Sequence, residues 1–579
     1  MKKILFIAMI TLLSIANTSF AKDRIVKIKV VHTTDVHGNC FPYNFITHSQ
    51  WKGSMARVAS FVKQERKKYG KNLILLDNGD MLQGQPSAYY FNFINTAEPH
   101  LFASVLNYLN YDAANIGNHD VETGHAVYDR WISECNCPII GANTIEKSTG
   151  KPYLPPYKII NRDGVKVAIL GLITPAIPAW LAENLWEGLY FEDMVKTASK
   201  WIPYIQENEK PDLIIGLFHA GQDIKRSVEG FAENASLEVA KGVPGFDIVL
   251  FGHDHQLEYK LVQNSAHKNV VMANAGANGI AASNIEISFT LRDGKVIDKS
   301  IIGGLEDINK YAPDADFISH FQKQFDEVNS FVSEKIGVIT KTISTRDAYF
   351  GSSAFVDLIH QIQLETSGAE ISFAAPLSFD ATIKQGDILM SDMFNLMKYE
   401  NMLYVMSLTG REIKDFLEYS YYIWTNQMSS ASDHMLWLKE SKTEGDENRA
   451  AFQNESFNFD SAAGIIYTVD LTKPRGEKVN IVSMADGSEF SFDRSYKVAI
   501  NSYRGNGGGG HLTAGAHISK DELKSRIISA TDKDLRFYML EYIRAKGEIN
   551  PKPAGNWKFI PDDFVNEAKA RDYKILFNE

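Results

Sequence analysis

Val31-His32-Thr33-Thr34-Asp35-Val36-His37-Gly38 is an apolar, β-branched run that ends in two metal-ligating side chains. The same arrangement returns four times in the first half of the chain. Leu75-Leu76-Asp77-Asn78-Gly79 leads into Asp80, and Ala114-Asn115-Ile116 leads into Gly117-Asn118-His119-Asp120. Ile214-Ile215-Gly216-Leu217-Phe218 leads into His219, and Val249-Leu250-Phe251 leads into Gly252-His253-Asp254-His255. Strands are expected over 26–33, 72–76, 113–116, 138–142, 165–171, 213–218, 247–251 and 270–273, with amphipathic helices such as 56–68 and 102–109 between them. Runs apolar on both faces, such as 165–171 and 213–218, predict a sheet covered by helices, an α/β domain. In such sheets the carboxyl ends of the strands converge on one crevice, so these strand ends place their polar side chains around one point.

The residue types at that point suit metal binding. Side-chain direction along an extended backbone has period two, so Asp35-x-His37 and His253-x-His255 each project a pair to one side, able to clamp one ion. Asp80 has two oxygens and can bridge two ions, and Asn118 adds a neutral carbonyl oxygen. A lone polar residue after a strand is ordinarily a satisfied core group; five such sites in order are not explained that way. The mixed nitrogen and oxygen donors suit Zn, Mn, Fe or Co and do not choose among them.

With 579 residues the chain is expected to form two large domains. The net charge of −11 argues against a long nucleic-acid partner, which requires clustered Lys and Arg, but not against a small anion drawn to bound cations. Near Asp316 the pattern changes, and Phe317, Ile318, Phe321, Phe325, Val328, Val332 and Ile336 recur at helical spacing. The expected division is a leader over 1–21, a catalytic domain over 22–315, a linking helix over 316–336 and an α+β domain over 337–579. Within the last, a helix is expected over 410–423 and strands over 465–471 and 496–501.

Lys2 and Lys3, the apolar run from Ile4 to Ala16, and Ser19-Phe20-Ala21 read as a secretory signal cleaved before Lys22. A secreted chain follows, periplasmic if the source is Gram-negative, with no later membrane span. Cys135 and Cys137 are too close for relaxed disulfide geometry in most backbones and read as small buried side chains, while the role of Cys40 is open.

The ordered signature Asp-x-His, Gly-Asp, Gly-Asn-His-Asp, His and Gly-His-x-His resembles the calcineurin-like metallophosphoesterases. More narrowly, the chain after Ala21 resembles the secreted 5′-nucleotidase, UDP-sugar hydrolase and 2′,3′-cyclic-nucleotide 2′-phosphodiesterase family. The resemblance implies a four-layer α/β/β/α sandwich joined by a linking helix to a nucleotide-recognition domain. It implies two divalent transition-metal ions, one held by Asp35, His37, Asp80 and His255, the other by Asp80, Asn118, His219 and His253. His119 is implied as the catalytic histidine, paired with Glu122 or assisted by Asp120. Two ions about 4 Å apart activate water and polarise phosphoryl oxygens. With Asp35 and Asp80 they leave a site of roughly +2 that attracts phosphate.

In the second domain, Asn501-Ser502-Tyr503-Arg504-Gly505-Asn506 runs into four glycines, Gly507 to Gly510, which let a loop approach a ligand closely. From residue type alone, a tight turn with core aromatics is as good a reading. Family members hold the base between two rings drawn from this loop and from Ser456-Phe457-Asn458-Phe459-Asp460, which implies Phe457 and Tyr503. Asn501 and Asp460 are expected at base edges or ribose, Gly507 and Gly508 beside the ligand, and Arg504 and His511 in surface or loop positions. Many 5′-nucleotidases carry Gly-Gly-x-Arg where this chain has Ala374-Ala375-Pro376-Leu377. The missing arginine favours the cyclic-phosphodiesterase/3′-nucleotidase branch, with Arg346 or Arg411 as possible replacements in space. The expected partner is a small nucleotide, not a nucleic-acid polymer; oligomeric state is not legible. The alternatives are a 5′-nucleotidase or UDP-sugar hydrolase, and a catalytically silent nucleotide-binding protein.

Overall fold

The computed structural model describes residues 23–222, 227–228, 230–440 and 450–577; the expected signal peptide lies outside them. The first half builds two six-stranded sheets. Their strands, in chain order, are β1 (Arg24–Thr33), β2 (Leu73–Asp77), β3 (Ala113–Asn115), β4 (Ile139–Ile140), β5 (Tyr157–Arg162), β6 (Val165–Ile173), β7 (Leu213–His219), β8 (Ile248–Phe251), β9 (Leu257–Gln263), β10 (Asn269–Ala275), β11 (Ala281–Arg292) and β12 (Lys295–Asp307). One sheet has the order β12-β11-β1-β2-β3-β4 and the other β9-β10-β8-β7-β6-β5. Strands β1 to β4 pair in parallel, as do β6, β7, β8 and β10.

Side chains from both sheets, including Ile28, Val30, Leu76, Ile169, Ile215 and Leu250, form one core between them. Helices Met55–Tyr69, Leu101–Leu109 and His125–Glu134 cover the outer face of the first sheet, and Met194–Asn208 and Ser236–Gly242 cover that of the second. This is the expected α/β/β/α sandwich. Burial on both faces explains why the central strands are continuously apolar. The hairpin of β11 and β12 was not among the expected strands. Its signal is in the sequence: Ile285, Ile287, Phe289 and Leu291 alternate and point inward, and Asp293-Gly294 supplies the turn.

The expected continuous helix over 316–336 is corrected. Two helices, Ala315–His320 and Gln322–Val332, meet at Phe321, whose φ/ψ of −102° and 15° is not helical. The rings of Phe317 and Phe321 both close on Tyr108, at 5.6 and 5.5 Å. Ile336 already lies in a strand, β13 (Lys335–Ile339). The apolar period runs across this boundary because Phe317 to Val332 pack on the first core while Ile336 packs on a separate one.

The second half is centred on a five-stranded sheet. In chain order its strands are β14 (Ile371–Ala374), β15 (Met402–Thr409), β16 (Ser461–Ala463), β17 (Ser495–Asn501) and β18 (Ile527–Asp534), and their spatial order is β16-β14-β17-β15-β18. Helix Gly410–Trp424 packs on one face; helices Ala354–Ser367 and Leu535–Lys546 pack on the other. The halves meet through contacts such as His48 Nε2 with Ser391 Oγ at 3.1 Å and Lys524 with Glu183 at 2.7 Å. Among the described residues, no helix is long and apolar enough to cross a membrane. Cys40 and Cys137 are buried, Cys135 is half-buried, and all three are free thiols.

Candidate active site

The strand ends converge as the motif order predicts. Two groups of side chains form, Asp35 with His37 and His255, and Asp80 with His219 and His253, each with ligand atoms within 4.8 Å of one another. Asn118 joins the second group, its Oδ1 lying 2.8 Å from His253 Nδ1 and 3.2 Å from His219 Nε2. Asp35, His37, Asp80, His253 and His255 all have positive φ, between 49° and 73°. That conformation is uncommon for non-glycine residues, and its concentration here marks backbone bent to aim side chains at one point. Two glycines let the turns close up: a Cβ on Gly117 would lie 2.1 Å from Asp80 Oδ1, and one on Gly252 would lie 2.5 Å from Asp35 Oδ2.

The atoms that face one another fit cations. His219 Nδ1 is 2.6 Å from the carbonyl of Asn78, which fixes its proton there and leaves Nε2 a bare lone pair. That Nε2 lies 3.1 Å from Asp80 Oδ2, a buried oxygen that receives no hydrogen bond. His37 repeats the arrangement: Nδ1 is 3.2 Å from Gln83 O, and Nε2 faces His255 Nε2 at 3.0 Å. Electron-rich atoms turned toward each other in a buried site are what a missing positive charge leaves behind, and this donor set suits divalent transition metals.

His119 stands beside the clusters and ligates in neither. Its backbone N–H donates to Asp80 Oδ1 at 2.8 Å, and its Nδ1 is 2.5 Å from Glu122 Oε2. Burial lowers the pKa of the ring, but Asp80 and Glu122 more than offset this and raise it to about 9. With Nδ1 committed to Glu122, Nε2 is the atom left to act. Asp120, expected as a catalytic candidate, is corrected to a structural role. Its fully buried carboxylate accepts the backbone N–H groups of Asp80, Met81, Leu82 and Gly117, which fixes the loop carrying Asp80.

A cavity of ≈ 560 Å³ between the two halves joins this centre to the second domain. Asn118, His119, Glu122 and His253 line one end, and Phe457, Asn501, Tyr503 and Gly507 line the other. Phe457 and Tyr503 are 6.4 Å apart at 81°, an edge-to-face pair rather than two parallel plates. Tyr399 stacks on His119 at 6.4 Å and 9° and meets Phe457 edge-on at 6.4 Å.

Several expected substrate contacts are corrected. Asp460 is buried and ion-paired to Arg504 at 2.7 Å, so it does not face a ligand. Arg504 and His511, expected at the surface or in loops, are buried. Arg504 also donates to the carbonyls of Phe457 and Gly508, at 3.1 and 2.5 Å. It thereby ties the two segments that carry the rings. Gly508 lies behind the Tyr503 ring instead of lining the cavity. Neither Arg346 nor Arg411 is among the residues that line the cavity: Arg346 pairs with Asp380 and Arg411 lies over Phe492. Trp180, Glu233, Tyr399, Asn401 and Tyr419 line the cavity without having been singled out. They belong to no spaced motif, and an aromatic-x-Asn step such as Tyr399-Glu400-Asn401 reads as an ordinary turn before a strand.

Residues 28–257 match the calcineurin-like phosphoesterase family, and residues 335–516 match the 5′-nucleotidase C-terminal domain. A trifunctional nucleotide phosphoesterase protein of Bacillus subtilis is 27% identical over 93% of this chain, which spans 39% of that relative's length. A 2′,3′-cyclic-nucleotide 2′-phosphodiesterase/3′-nucleotidase of Haemophilus influenzae is 26% identical over 93% of this chain and 88% of its own length. The crystal structure of a 5′-nucleotidase precursor from Thermus thermophilus shares the fold, with a TM-score of 0.62 at 18% identity over 93% of this chain and all of that one.

Proposed function

We propose that this chain, a phosphoester hydrolase belonging to the family that joins a calcineurin-like phosphoesterase domain to a 5′-nucleotidase C-terminal domain, hydrolyses nucleotides and prefers phosphate on the 2′/3′ edge of the ribose. The observation that carries this reading is one continuous cavity that runs from Asn118, His119 and His253 to Phe457 and Tyr503. It has room for a phosphate at one end and a base at the other. The segment 374–380, which reads Ala374-Ala375-Pro376-Leu377-Ser378-Phe379-Asp380 where many 5′-nucleotidases carry an arginine, supports the 2′/3′ preference over a 5′-nucleotidase or UDP-sugar hydrolase. The complete ligand set weighs against a silent nucleotide-binding protein. The apolar run Ile4 to Ala16 supports export of the chain, which would direct it to nucleotides outside the cytoplasm.

Two divalent ions, when bound, supply an activated water and polarise the phosphoryl oxygens. Asp35, His37 and His255 would hold one, Asn118, His219 and His253 the other, with Asp80 shared. Glu122 accepts the Nδ1 proton of His119 and stabilises the imidazolium, whose second proton, on Nε2, is the one available to a leaving oxygen. As water adds to phosphorus and the bond to the ribose 2′-oxygen breaks, Nε2 gives that proton to the departing oxygen. The resulting 3′-nucleotide can pass through the same steps to release inorganic phosphate. Tyr503 and Phe457 hold the base, with Tyr399 closing the wall nearest His119 and Asn401 and Asn501 offering amides along the way.

Base holding is separable from chemistry. Tyr503→Ala or Phe457→Ala is expected to lower kcat/KM for 2′,3′-cyclic AMP by about 10-fold or more, since base stacking contributes roughly 1–3 kcal/mol per ring. Hydrolysis of bis(4-nitrophenyl) phosphate, which has no base, should change less than about 2-fold on the same reasoning. Equal losses on both esters in steady-state assays would assign the rings to folding instead.

A further inference from the structure

We propose that Glu233 is a positioning residue for the cluster of Asp80, Asn118, His219 and His253, setting the orientation and tautomer of the His253 ring. The proposal rests on the two-metal reading above. Glu233 Oε1 lies 3.0 Å from His253 Nε2, and His253 Nδ1 lies 2.8 Å from Asn118 Oδ1, inside the cluster. For Nδ1 to offer a lone pair to a cation, the ring proton must sit on Nε2, and Glu233 is the group that receives it there. The ring is held on its other sides as well. Trp180 lies over it at 5.7 Å and 31°, and the His253 backbone N–H donates to Asp35 at 3.1 Å.

Glu233 differs in kind from the groups that orient the other ring ligands. His219 and His37 turn their outward nitrogens to the backbone carbonyls of Asn78 and Gln83, which are neutral. A carboxylate draws the Nε2 proton more strongly and makes the opposite nitrogen a better donor. The clusters are unequal on a second count: the side chain of His255 in the other cluster is 46% exposed, whereas those of His253 and Glu233 are 12% and 15% exposed. The Asn118 cluster should therefore take its ion first and hold it more tightly.

Titration calorimetry with Co²⁺ on chelator-stripped full-length protein tests this without relying on activity. The wild type should bind two ions with unequal affinities. Glu233→Ala should weaken the tighter event about 10- to 100-fold, the usual cost of losing an outer-sphere partner of a ligating histidine, and leave the weaker one in place. Glu233→Gln, whose amide oxygen can still accept from Nε2–H, should lose clearly less. In a His253→Ala background, Glu233→Ala should cost nothing further. Unchanged affinities in Glu233→Ala, or an equal loss at both sites with Glu233→Gln no better than Glu233→Ala, would overturn the assignment. Failure of the wild type to bind Co²⁺ at all would instead remove the two-metal reading on which it stands.

Discussion

Asp80→Ala is expected to empty both metal clusters together and to abolish hydrolysis. Asp80 is the carboxylate that the two-metal reading assigns to both: Oδ2 faces His219 Nε2 at 3.1 Å, and Oδ1 receives the His119 backbone N–H at 2.8 Å. Alanine removes the negative charge that faces three imidazoles, His37, His119 and His219. Ions at either position then lose a ligand and face stronger mutual repulsion. Activity should fall beyond the ~1,000-fold upper range seen when a single charge-stabilising donor is removed from an active site. Elemental analysis of the purified variant should find far less than one ion per chain. Two ions per chain in Asp80→Ala would show that Asp80 is not the shared ligand.

His119→Asn should separate chemistry from metal binding. His119 Nδ1 is committed to Glu122, the ring lines the cavity, and neither cluster includes it. Loss of a general acid costs about 100-fold or more in kcat, equivalent to roughly 2.7 kcal/mol of transition-state stabilisation. Metal content should stay at the wild-type level. The deficit should shrink for a substrate whose leaving group departs without a proton, such as 4-nitrophenolate. A variant with full kcat on nucleotides would take His119 out of the mechanism.

The convergence of the two candidate metal clusters was legible in the sequence because each of their residues follows an apolar strand that identifies itself. Leu73–Asp77 is buried at every position, so the Asn78-Gly79-Asp80 step after it can only be a strand end at the crevice. The positive φ values of Asp35 and His253 were not legible, since nothing in residue type distinguishes a strained aspartate from a relaxed one. Asp120 was misread for a related reason. It sits inside the Gly-Asn-His-Asp motif, yet helix Asn118–Val121 turns its carboxylate back onto the backbone of the Asp80 loop, away from substrate.

The second domain was less legible because its polar residues find partners far along the chain. Asp460 and Arg504 are 44 positions apart and read as loop residues, whereas their pairing at 2.7 Å in a dry interior holds the ring-bearing segments together. Glu233 was invisible for the same reason: it lies in no motif, and its significance comes from the position of His253 Nε2. Spacing along one strand or helix can be read from sequence. Juxtaposition across the cavity requires the fold.

The most direct test of the proposed activity is regiochemical. Values of kcat/KM for 2′,3′-cyclic AMP, 3′-AMP and 5′-AMP should be compared on one preparation at equal metal loading. With the base held at Tyr503 and the phosphate at the clusters, a misplacement of about 1 Å can cost 100-fold in rate, so position on the ribose should matter strongly. The expected result is that 2′,3′-cyclic AMP and 3′-AMP exceed 5′-AMP by at least ~10-fold, a modest fraction of that cost. A clear preference for 5′-AMP would contradict the account and place the chain with the 5′-nucleotidases in its choice of substrate.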